Sequence, residues 1–207
     1  LSTLVVFWRE ILRLFRGLFK FRMNEETIFC INILISLVPI VFVGLFFLDH
    51  IEGLFTSNIR LVGAMLLVTA ALLTFAYYAK PRQLKITPKS AFIIGLSQAV
   101  AIFPGLSRSG TTISTGLMLG VKKEEVSKFS FLMVLIPVIG MNVLECMNMP
   151  AGDSFATCPL VACFLTAFIS GTFACSWMIQ LVNRGKLIYF AIYCVIVGVA
   201  AIFMSML

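Results

Sequence analysis

One short stretch, Gln98-Ala-Val-Ala-Ile-Phe-Pro-Gly-Leu-Ser-Arg-Ser-Gly-Thr-Thr112, gathers residue types that can hold an anion. Arg108 is the strongly basic member, and its planar guanidinium fork matches two oxygens of a phosphate. Ser107, Ser109, Thr111 and Thr112 surround it with hydroxyls, while Gly105 and Gly110 let the backbone turn tightly and approach a ligand. A helix beginning near Ser109 would aim the free N–H groups of Gly110, Thr111 and Thr112 into the turn. The positive end of its dipole favours negative charge there. The chemistry implied is a phosphate cradle. A lone arginine among small residues would more often be an interfacial anchor beside a helix contact, but the pattern Pro-Gly-x-Ser-Arg-Ser-Gly-x-Thr is far more specific than that. It is not a P-loop: Thr111 stands where the lysine belongs, and a helix rather than a strand precedes the turn.

The elements that must position this turn are membrane helices. Of 207 residues, 60% are hydrophobic and 12% charged, and the mean hydropathy of +1.06 excludes a soluble globular chain. Uncharged runs at Ile28–Leu48, Leu61–Ala79, Phe155–Val182 and Leu187–Leu207, with a shorter one at Phe129–Leu144, are each near the roughly 20 residues that cross a bilayer core. The reading is an all-α, polytopic transmembrane bundle forming one integral membrane domain over 1–207. It comprises a first helix pair (28–89), a broken hairpin (90–120) and three last helices (125–207). Leu1–Phe21, with Arg9, Glu10, Arg13 and Arg16 among apolar residues, reads as a surface or exit segment. Ser90–Phe103 would be about 21 Å long as a helix, too short for a core of about 30 Å. With the helix after Pro104-Gly105 it forms either a re-entrant hairpin or one discontinuous span, tolerated at depth only where it is buried in protein or lines a cavity. A faint echo, Ser36-Leu-Val-Pro39-Ile-Val against Val134-Leu-Ile-Pro137-Val-Ile, raises an internal duplication.

Sixteen Lys and Arg against nine Asp and Glu give a net charge of +7, but the basic residues sit in short segments between apolar runs. Arg9 to Arg22, Lys80 to Lys89 and Arg184 with Lys186 read as positive-inside loops beside anionic lipid, so nucleic-acid binding is set aside. Cys30, Cys146, Cys158, Cys163, Cys175 and Cys194 show no CxxC pair and read as small core residues, without metal or redox function. If 90–120 is re-entrant, the loops at Lys80–Lys89, Lys122–Lys128 and Arg184–Lys186 share one side; an inverted repeat built on the echo would instead require that segment to cross.

At Pro104-Gly-Leu-Ser-Arg-Ser-Gly-Thr-Thr112, with Gln98 before it and Glu125-Val-Ser-Lys-Phe-Ser-Phe-Leu and Pro137 after it, the sequence closely resembles the bacitracin-resistance family of undecaprenyl-diphosphate phosphatases. Val6-Phe-Trp-Arg9 and Ile40-Val-Phe-Val-Gly-Leu-Phe-Phe47 extend the resemblance over essentially the whole chain. The resemblance implies hydrolysis of undecaprenyl diphosphate to undecaprenyl phosphate and phosphate. That recycles the lipid carrier of cell-wall synthesis and lowers sensitivity to bacitracin. It implies an inverted-repeat bundle in the bacterial inner membrane, an active site facing the external side, a divalent cation (Mg or Ca) and a polyprenyl diphosphate as partner. Oligomeric state is not readable, and a homodimer is carried as one option. Position by position, Arg108 and Ser107 would be catalytic. Ser107, Arg108, Ser109, Gly110, Thr111, Thr112 and Gln98 would bind the diphosphate, Thr112 as a hydrogen-bond donor and Ser109 as a shaper of the turn.

The departure from the family pattern is a first signature, Glu-Gly-x-Thr-Glu-Phe-Leu-Pro-x-Ser-Ser-Thr-Gly-His, which does not occur here. His50 has none of its context and reads as a polar loop residue. The expectation is that the metal ligands and the general base belong to a segment upstream of Leu1, roughly 50 to 70 residues, about the first helices of a family member. No metal site is expected in this chain, which alone should bind phosphate poorly and hydrolyse nothing. A competing reading is a transporter or flippase of a lipid-linked or anionic substrate, since broken helices aimed at an anion serve transport too. An acid-phosphatase-like lipid phosphatase shares only Ser-Arg and lacks the downstream His and Asp.

Overall fold

Hydrocarbon offers no hydrogen-bond partner to a peptide group, so the uncharged runs must satisfy their backbones internally. A computed structural model describes residues 2–18, 24–54, 59–79, 82–148 and 157–205. The described residues form α1 (Ser2–Val6), α2 (Trp8–Leu18), α3 (Glu25–Leu54), α4 (Ile59–Tyr78), α5 (Pro88–Val100), α6 (Arg108–Met118), α7 (Lys123–Asn148), α8 (Thr157–Asn183) and α9 (Leu187–Met204). Five of these are long and apolar enough to cross a membrane: α3 over Glu25–Gly44, α4, α7 over Lys123–Leu144, α8 over Val161–Asn183, and α9. The chain is an all-α, multi-pass membrane protein. Helix α3 runs to Leu54, further than the apolar run suggests, and takes in much of the expected polar connection. The side chains of Asp49, His50 and Glu52 lie outside the described residues, as do those of Cys146 and Cys158, and Lys20, Arg22 and Lys80 altogether. Of the described cysteines only Cys194 is fully buried; Cys163 is exposed on α8, so the expectation of uniformly core cysteines does not hold.

The broken segment is decided by two backbone hydrogen bonds. The Leu84 N–H donates to the Gly120 carbonyl at 3.0 Å, and the Lys122 N–H donates to the Leu84 carbonyl at 3.1 Å. These join the residues before α5 to those after α6, so the segment leaves on the face where it arrived. It is a re-entrant hairpin. Thr87 caps α5 by accepting from the Ser90 N–H, Ser90 Oγ accepts from the Thr87 N–H, and Pro88 occupies the first helical position, where its missing donor costs nothing. With 13 residues α5 is about 20 Å long and stops inside the core.

The hairpin is buried on one side only, against α3, α4 and α7, while Phe92, Leu96, Val100 and Phe103 on its other side stay exposed. Ile94, Ile113, Val126, Phe129, Met133 and Leu73 are fully buried around it. Gly95 lies against the Ser36 backbone of α3, and Gly116 against Val126 of α7 and Ile94 of α5. Helix α8 packs on α1 and α7 rather than on the hairpin and presents Phe164, Phe173 and Trp177 outward, as lipid-facing helices do.

The face that holds both hairpin ends also holds the start of α3 (the Lys85–Glu25 pair), the start of α7 and the turn after α8, where Gly185 lies under Lys123. The three basic loops therefore share one side. Every described Lys and Arg except Arg60 and Arg108 lies at or within two turns of that face. Arg60 is at the opposite one, where it donates to the Ser205 carbonyl. The opening stretch is an exit segment rather than a surface helix: Ser2 Oγ donates to Phe168 O, about 22 Å along α8 from Asn183, while Arg13 pairs with Glu26 at the basic face. The sequence echo falls on α3 and α7, which run in the same direction, so those two are not related by inversion. Helices α4 and α9 are antiparallel and cross at Gly63 and Gly198, where a Cβ on either glycine would meet the other's carbonyl oxygen, at 2.9 and 3.0 Å. That reciprocal contact is what a two-fold axis in the membrane plane would produce.

Candidate functional site

Between the two hairpin helices the chain makes a compact tip, residues 101–107, laid against α4. Gly105 has φ +90°, and a Cβ there would stand 2.5 Å from the Val62 carbonyl oxygen, so only glycine allows both the turn and the approach. Thr69, fully buried on α4, accepts a hydrogen bond from the Ser107 N–H at 3.1 Å and donates to Met65 O. Sequence reasoning missed Thr69, which is one of two threonines in the apolar run 61–79 and carries no signal that separates it from Thr74.

Ser107 is the N-cap of α6, and its Oγ accepts from the Gly110 N–H at 3.2 Å. The helix thus begins at Arg108, a residue ahead of the position expected. Of the four N–H groups that a helix start leaves free, Ser107 and Gly110 are satisfied, and Thr111 N–H already bonds to Ser107 O inside the helix. The unsatisfied donors are those of Arg108 and Ser109, not of Gly110, Thr111 and Thr112. Arg108 is half-buried and makes no hydrogen bond or ion pair with the described residues; Ser107 and Ser109 are half-buried too, and neither hydroxyl proton is engaged. The tip therefore presents one guanidinium, two N–H groups and two hydroxyls, with no Asp, Glu or His anywhere in residues 98–118 to oppose an anion.

The remaining candidate residues sit deeper. Thr112 is fully buried and its hydroxyl donates back to Arg108 O and Ser109 O, at 3.0 and 3.2 Å, so in this arrangement its proton holds the first turn of α6 rather than facing the tip. Gly110 and Thr111 are buried on the same helix, and Thr111 Oγ1 has no partner. Gln98 is fully buried on α5 with neither amide atom hydrogen-bonded. Unsatisfied buried polar atoms are uncommon enough to require an occupant such as water or a ligand.

The described residues contain no group of three or more His, Cys, Asp or Glu that could hold a metal ion. The divalent cation implied by the resemblance does not fit them, and no chemical step is derived through one.

The chain matches the family described as "Bacitracin resistance protein BacA" over residues 1–200. It belongs to that family. The relatives include the undecaprenyl-diphosphatase of Bacteroides fragilis, 57% identical over 100% of this chain and 79% of that protein. The undecaprenyl-diphosphatase of Bacteroides thetaiotaomicron is 55% identical over 97% and 78%. The protein of that name from Oceanobacillus iheyensis is 33% identical over 96% and 76%.

Proposed function

We propose that this protein hydrolyses undecaprenyl diphosphate to undecaprenyl phosphate and inorganic phosphate. The observation that supports it most is the unpaired Arg108 at the capped start of α6, held inside the membrane by a re-entrant tip in a BacA-family chain. A water oxygen bonds to the terminal phosphorus, the bond from that phosphorus to the bridging oxygen breaks, and the bridging oxygen leaves with the lipid phosphate. Charge builds on the non-bridging and leaving oxygens. The Arg108 guanidinium, the N–H groups of Arg108 and Ser109 and the hydroxyls of Ser107 and Ser109 are donors for those oxygens. Thr69 and Thr112 position the turn, and Gln98 and Thr111 meet substrate only where it reaches below the tip. The proton-handling group comes from outside residues 98–118.

Positive-inside charge supports a cytoplasmic assignment for the basic face in a bacterial inner membrane. Helix α4 starts at the opposite face, with Val62 and Thr69 about 5 and 15 Å along it, so the tip they hold is nearer the external side.

The test is phosphate release from undecaprenyl diphosphate in detergent by a protein of the relatives' full length that carries this sequence. Arg108→Ala is expected to lower turnover at least about 100-fold with the protein still folded; near-normal release by that variant would sink the assignment. A flippase that moved the lipid without releasing phosphate would fail the same assay in the unmutated protein.

A further inference from the structure

A second polar site lies at the basic face, away from the hairpin tip. It is a cavity of about 320 Å³ among α2, α3, α7 and the residues before α5, floored by Asn32 and rimmed by Arg13, Glu25, Lys85, Glu125 and Lys128. Asn32 is 1% exposed; its Nδ2 donates to Ile86 O at 3.2 Å, and its Oδ1 has no partner. The floor therefore offers a free acceptor, Oδ1, beside an amide nitrogen with one of its two hydrogens already given to Ile86, so an occupant that donates is the one that satisfies the unpartnered oxygen. On the rim Lys85 pairs with Glu25, Arg13 with Glu26 and Lys128 with Glu10, while Glu125 makes no close ion pair among the described residues and acts on Lys85 only at longer range, so the carboxylates of the lining outnumber its cations by one. These carboxylates do not converge into a metal site among the described residues. Phe29 and Leu132 form an apolar wall beside them.

A ligand matching all of this carries an N–H-bearing cation for Asn32 and Glu125, an anion for the paired cations of the rim, and hydrocarbon for the wall. We propose that the cavity binds the headgroup of an aminophospholipid of the phosphatidylethanolamine class from the leaflet at the basic face. Its ammonium donates to Asn32 Oδ1 and faces Glu125; its phosphate lies toward Arg13, Lys85 and Lys128; its chains run along Phe29 and Leu132. Phosphatidylcholine has the same charges but no N–H donor, which makes it the discriminating control.

The experiment is native mass spectrometry of the full chain released from nanodiscs containing equal phosphatidylethanolamine, phosphatidylcholine and phosphatidylglycerol. Retention of phosphatidylethanolamine is expected to exceed that of phosphatidylcholine about tenfold, the factor one charge-assisted hydrogen bond supplies. Asn32→Leu and Glu125→Gln should each bring the ratio close to one. Asn32→Leu also loses the bond to Ile86 O, so Glu125→Gln, on the rim, carries the result if the first variant does not fold. Equal retention of the two lipids by the unmutated protein, or a preference unchanged in Glu125→Gln, overturns the proposal. Soluble phosphoethanolamine, offered in detergent, should bind more weakly, because Phe29 and Leu132 reward only a chain-bearing ligand; affinity equal to the lipid's overturns the lipid assignment.

Discussion

Arg108 and Gln98 make opposite predictions at the scale of single residues. Arg108 is half-buried without a partner, so its removal relieves a desolvated charge while stripping the tip of its strongest donor. Arg108→Ala should therefore melt no lower than the unmutated protein in a detergent thermal scan while losing phosphate release. Arg108→Lys should recover only part of that release, because an ammonium cannot present a two-pronged fork. Gln98 has no hydrogen bond to lose, so Gln98→Met should hold or raise the melting temperature, a buried carboxamide without partners being unfavourable by about 1–3 kcal/mol. If its amide meets the diphosphate or a water serving it, the same variant lowers kcat/KM. A fall in melting temperature would show instead that Gln98 is a structural residue.

Among the elements, the hairpin tip depends on α4 at two points. Thr69→Val keeps shape but removes the acceptor for the Ser107 N–H, costing about 1–2 kcal/mol and loosening the cap that aims Arg108. Activity should fall further than stability does, read by comparing kcat with the thermal midpoint. Gly105→Ala forces a left-handed φ on a residue with a Cβ, at roughly 1–2 kcal/mol, and drives that Cβ into Val62 O. It should unseat the tip from α4, speeding hydrogen exchange at the N–H groups of Ser107 and Gly110, whose bonds hold the cap of α6. At the hairpin's other end, the Lys85 ammonium is held above the usual lysine range by its hydrogen bond to Glu25. Because its folded pKa is raised, the stability it contributes is present at neutral pH and is lost as pH climbs through that raised value. Lys85→Met should abolish this alkaline sensitivity of the melting temperature, and salt should weaken it in the unmutated protein.

For the molecule as a whole, sidedness is the consequence of the re-entrant path. In a cysteine-free background, Lys186→Cys should react with an impermeant maleimide only after the cells are opened, and Arg60→Cys in intact cells; the reverse pattern would place the tip toward the cytoplasm. Composition alone established a helical membrane protein, because uncharged runs of bilayer length have few other physical fates. The Pro104–Thr112 pattern likewise located a turn that gathers a guanidinium, glycines and hydroxyls, since residues at that spacing form a local unit. Tertiary contacts decided what local patterns could not. Whether 90–120 crosses or returns depended on Leu84 meeting Val121, two residues whose types say nothing about each other. The echo between α3 and α7 suggested a repeat, yet helix direction excludes inversion for that pair, and the reciprocal contact lies at Gly63 and Gly198, where no sequence similarity drew notice. The sequence by itself determined the membrane environment and the set of polar groups at the turn, both fixed by residues near one another in the chain. Which donors stay free, which face the tip approaches and where the buried Asn32 floors a cavity were settled by packing between distant helices.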